Sequence, residues 1–131
     1  MIAEGLLAHL VGDYLLQSHW MATKKVKHWW PALAHGAAYT LPFLIITRSL
    51  WALLVIGGTH AILDRYRVAK YVTWAKNLIG PKSFRTPLSE AVTNSGYAAT
   101  VPAGLATALL IIADNTVHIA INTGALYWLG R

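Results

Sequence analysis

The chain contains no cysteine. Disulfides and thiolate-ligated metals are therefore excluded, and the redox compartment leaves no trace in the sequence. Charge is scarce too. Asp, Glu, Lys and Arg make up 12% of the 131 residues, about half the usual share of a soluble domain, and only five are acidic. Also missing are a glycine-rich phosphate loop, a nucleophile-elbow serine and a His-Glu-x-x-His run, the local signatures of nucleotide-binding loops, serine hydrolases and zinc proteases. The opening Met-Ile-Ala-Glu-Gly carries an acid where a signal peptide has basic residues, so a cleavable signal is not expected.

Apolar residues fill much of the remaining sequence. They reach 56%, with a mean hydropathy of +0.45, a balance that points to one integral membrane domain. Four apolar stretches stand out, at about residues 2–20, 31–47, 50–66 and 102–129. Each approaches the roughly 20 residues that cross a hydrocarbon core, and none alternates as a strand would. The expectation is an all-α polytopic membrane protein, a four-transmembrane-helix bundle with a polar loop region over residues 71–101. The Gly80-Pro81 and Thr86-Pro87 steps punctuate that loop, and residues 71–79 could form a short interfacial helix.

The formal net charge of +6 does not point to nucleic acid, because the basic residues sit between apolar stretches rather than in one patch with interleaved aromatics. Nine of them lie in the first and third connectors or at the end of the third stretch, from Lys24, Lys25 and Lys27 to Arg65, Arg67, Lys70, Lys76, Lys82 and Arg85. The other two are Arg48 and Arg131. In the expected cytoplasmic (inner) membrane, the positive-inside rule places the two large connectors in the cytoplasm and both termini outside. Lys24, Lys25, Lys27, Arg65 and Arg67 are then expected at lipid headgroups.

Within the apolar stretches, three His/Asp pairs are spaced by four residues: His9/Asp13, His60/Asp64 and Asp114/His118. That spacing puts each pair on one helix face. His35 lies on the remaining stretch, with Tyr39 one turn further along. Ionisable groups are expensive at membrane depth and persist there when paired, hydrated or bound to an ion. Neutral imidazole and carboxylate suit zinc above all, then manganese or iron. His9, Asp13, His35, His60, Asp64, Asp114 and His118 are thus the candidate ligands of a divalent metal. That set exceeds one tetrahedral ion, so some would orient others or the centre would hold two ions. Gln17, Tyr39 and Asn115 are candidate supporting groups, and Asn122 shares a face with Asp114 and His118. An open coordination position would suit hydrolysis of a membrane-associated substrate. The same residues would also serve a metal-free structural network, as in a non-enzymatic accessory or exclusion protein, or a proton or metal path in a small transporter or homo-oligomer.

The ordered segments His9-Leu-Val-Gly-Asp13-Tyr-Leu-Leu-Gln17, His35-Gly-Ala-Ala-Tyr39-Thr, Thr59-His60-Ala-Ile-Leu-Asp64-Arg65 and Asp114-Asn-Thr-Val-His118 resemble the small bacterial and phage membrane proteins of domain of unknown function 3307. The resemblance spans nearly the whole chain and implies a multi-pass membrane protein without assigning an activity. The His-x-x-x-Asp element is also similar to that of a broader group of inner-membrane metal-dependent hydrolases, whose His-Arg-Gly-x-x-His element this chain lacks.

Overall fold

A computed structural model describes residues 2–131. Among these residues there are seven α-helices and no strand: α1 (Ile2–Leu10), α2 (His19–Lys24), α3 (Trp29–Thr40), α4 (Leu50–Tyr66), α5 (Ala69–Asn77), α6 (Leu88–Ala91) and α7 (Ala103–Leu129). The chain divides into two compact units, one of residues 1–66 and 118–131, the other of residues 67–117.

In the first unit the opening apolar stretch is not one helix over residues 2–20. α1 gives way to a π-helical turn at Val11–Leu15, where Leu16 N–H bonds Val11 C=O, and the chain then breaks. It restarts at Ser18, whose hydroxyl accepts from Met21 N and caps α2. α3 begins at Trp29, which leaves Pro31 inside the first turn where no backbone donor is needed. Pro42 then lies in a 3-10 turn at Leu41–Ile45. α4 is capped by Ser49, which accepts from Ala52 N, and it ends before Arg67, which takes a left-handed φ of 49°.

Two glycine contacts set the helix spacing. A Cβ on Gly36 of α3 would stand 2.8 Å from Gly57 O and 3.0 Å from Ala61 Cβ of α4. A Cβ on Gly12 would stand 2.8 Å from Cδ2 and 2.9 Å from O of Tyr39. Glycine lets α3 lie close against both α4 and the π turn. The apolar core beside these crossings is Ala8, Tyr39, Phe43, Ile56, Ala125 and Leu126.

Beside that apolar core, this unit buries polar groups and exposes large apolar side chains. His9, His35, His60, His118, Asp13, Asp64 and Asn122 are all buried, whereas Ile45 is 90% exposed, Leu15 75% and Trp51 71%. One helix among the described residues, α7, is by itself long and apolar enough to cross a membrane. Its 27 residues extend about 40 Å. The expected four spans reduce, at the level of single helices, to this one. The first two stretches are broken by the Ser18 restart and the 3-10 turn, and α4 has 17 residues.

The second unit holds α5, a 3-10 turn at Lys82–Phe84, α6 and the first part of α7. Trp74 Nε1 donates to Thr86 O, and Asn94 Nδ2 donates to Ala98 O and Val101 O, so side chains close its irregular loops. Gly96, at φ 92°, passes so near Lys70 O that no side chain would fit.

Candidate metal centre

Four ligand-type atoms meet inside the first unit. His35 Nε2, from α3, lies 2.8 Å from His60 Nε2 and 3.3 Å from Asp64 Oδ2, both on α4. It is also 3.1 Å from Asp13 Oδ1, on the π turn. His60 Nε2 is 3.2 Å from Asp64 Oδ2 and 3.7 Å from Asp13 Oδ1. All four residues are buried. His35 Nδ1 and His60 Nδ1 are buried without a hydrogen-bond partner, so both rings direct their polar contacts through Nε2 toward one point.

This group could hold a metal ion. Ligand atoms about 2.0–2.1 Å from a tetrahedral ion stand about 3.3 Å from one another. The five distances here, 2.8–3.7 Å, straddle that edge length. Two imidazole nitrogens and two carboxylate oxygens are a zinc-type donor set, also open to manganese or iron, and too poor in oxygen for calcium.

Tyr39 supports the group from α3. Its ring stacks on the His60 imidazole with centroids 3.7 Å apart and planes 14° apart. Its hydroxyl accepts from Asn122 Nδ2 at 2.6 Å and lies 2.6 Å from His9 Nδ1. His9 is therefore placed with Tyr39 rather than in the four-atom group. His9 lies in the last turn of α1, and Asp13 sits in the π turn that follows it. His118 stands behind Asp64, its Nε2 3.4 Å from Oδ1. Asp64 thus presents one oxygen to the four-atom group and the other to α7.

The remaining candidates lie outside the four-atom group. Gln17 Nε2 donates to the backbone oxygen of Asp13, so it braces the π turn and not the carboxylate. Asp114 and Asn115 lie in the part of α7 that belongs to the second unit. Lys24 and Lys27 are exposed. Lys25, expected at a headgroup, instead turns inward, with Nζ 2.5 Å from Asp64 Oδ2 and a side chain only 16% exposed. Arg65 Nη1 donates to Val26 O, and its guanidinium lies over the rings of Trp29 and Tyr66, tying α4 to the lysine connector. Nothing in the residue order distinguishes Lys25 from its neighbours, so its place at the centre was invisible beforehand.

A family model described as Protein of unknown function (DUF3307) matches residues 1–88. Asp13, Lys25, His35, His60 and Asp64 all fall inside the matched segment, and His118 and Asn122 fall beyond it. No curated protein and no solved structure matches the chain.

Proposed function

The chain belongs to the DUF3307 family, and we propose that it is an integral membrane protein that binds one divalent metal ion, zinc in preference to manganese or iron, through Asp13, His35, His60 and Asp64. The convergence of their four ligand atoms at tetrahedral spacing carries this reading. A bound dication offsets the two buried carboxylates, which are otherwise costly in a low-dielectric interior.

The membrane reading rests on the exposed apolar and buried polar side chains and on α7. In it the chain crosses the inner membrane four times, through α1 with its π turn, α3 with its 3-10 turn, α4 and α7. The basic connectors face the cytoplasm and both termini the outside. Tilt or local thinning accommodates the shorter spans.

A tetrahedral ion held by all four residues has no open position, so hydrolysis of a membrane-associated substrate requires one carboxylate to yield its place to water. The ion would supply Lewis acidity and an activated water. The chain's own contribution is positional. Tyr39 holds the His60 ring, Gln17 braces the π turn under Asp13, and His118 orients Asp64. Zinc titration of detergent-purified, chelator-stripped protein tests the site. Saturation at one ion per chain, lost in His60→Ala and in Asp13→Asn, is expected; absence of saturable binding contradicts it.

The Lys25–Asp64 ion pair favours a second reading, a metal-free network in which the ammonium is the resident cation. A folded protein that is free of metal and whose melting temperature zinc leaves unchanged would establish that alternative.

A further inference from the structure

Of the three lysines in the first connector, one leaves the surface and places its ammonium on an apex of the four-atom group. Lys25 Nζ contacts Asp64 Oδ2, the same oxygen that lies 3.2 Å from His60 Nε2 and 3.3 Å from His35 Nε2. An ammonium and a metal ion on one carboxylate oxygen repel each other, and a carboxylate oxygen tightly held by an ammonium is a weakened metal donor. Building on the metal site above, we propose that Lys25 is a specificity-determining residue: its ammonium competes with the metal for Asp64 and decides which ions load.

The competition has a definite sign. The metal must displace the ammonium from Asp64, so the apparent affinity falls by the fraction of molecules in which Asp64 is free. The loss is not equal for all ions. Zinc retains two imidazoles when Asp64 is engaged, whereas manganese depends more on carboxylate oxygen and is left with Asp13 alone. Lys25 therefore biases the site against oxygen-seeking ions. Its location also suits exchange. The side chain is partly exposed while the four ligand residues are buried, so the ammonium can withdraw toward the surface when an ion takes its place.

Zinc and manganese are titrated into detergent-purified full-length protein as wild type, Lys25→Met and Lys25→Gln. Removing the ammonium is expected to tighten zinc binding by about tenfold or more and manganese binding by a larger factor. Lys25→Gln covers the case in which Lys25→Met fails to fold, because its amide can still donate to Asp64 without charge. The change in zinc-to-manganese preference is the discriminating readout, because a merely structural lysine would weaken or tighten both ions alike. Folded Lys25 variants that bind zinc no more tightly than wild type overturn the proposal, even where wild type binds the metal. Zinc binding by Lys25→Met but not by wild type supports the competition and overturns the metal-loaded reading of the native chain. If neither binds zinc, both fall.

Discussion

The phenol of Tyr39 lies flat on the imidazole of His60, with centroids 3.7 Å apart, while its hydroxyl reaches His9 and Asn122. One side chain thus joins a ring of the four-atom group to polar groups of α1 and α7. Tyr39→Phe keeps the stacked ring and strips both hydroxyl contacts. It should cost about 1–3 kcal/mol of stability, the penalty for leaving buried polar groups unpaired, while zinc stoichiometry stays at one. Tyr39→Ala removes the stack as well and should weaken zinc binding. Thermal unfolding in detergent and zinc titration separate the two effects.

The displacement of His9 from the ligand group gives a direct contrast between neighbours on one segment. His9→Gln should retain one zinc ion per chain, because His9 contacts Tyr39 and lies outside the four-atom group. Asp13→Asn should lose the ion. Equal loss in both variants would mean that His9 is a ligand after all.

Helix spacing should control the site from a distance. Gly36→Ala forces a methyl group against Gly57 O and Ala61 and pushes α3 from α4, the helices that carry His35 and His60. A cost of about 1–3 kcal/mol is expected, together with weaker zinc binding. Gly58, one residue from Gly57, has open space around its Cβ position, so Gly58→Ala should be neutral or stabilising by up to about 1 kcal/mol. Denaturation and zinc titration of the pair supply the comparison.

Because the chain has no cysteine, any introduced thiol is a unique reporter of membrane side. Arg48 and Lys27 are both exposed and lie in connectors of different basic content, one arginine against three lysines. In intact cells an impermeant maleimide should label Arg48→Cys and spare Lys27→Cys, which should react only after the membrane is opened. Labelling of both positions in intact cells would contradict the four-span topology.

Legibility in the sequence followed the regularity of the helices. His60 and Asp64 sit on an uninterrupted helix, so four-residue spacing translated directly into a 3.2 Å contact. The polar residues of the apolar stretches could be read as a buried set because their cost at such positions is large. The π turn that carries Asp13 could not. It packs Gly12 against the Tyr39 backbone, a neighbour distant in sequence. The restart at Ser18 carried a capping residue, but the apolar residues on either side of Gln17-Ser18-His19 made the stretch read as one span. Lys25 was indistinguishable from Lys24 and Lys27 because a long flexible stem can deliver its ammonium either inward or to the surface.

Elemental analysis of the protein purified from membranes without chelator tests the account most directly. The four-atom group predicts one zinc, or one manganese or iron, per chain in the parent and none in the His60→Ala variant. Folded parent protein that carries no transition metal, and takes up none when zinc is supplied, would contradict it.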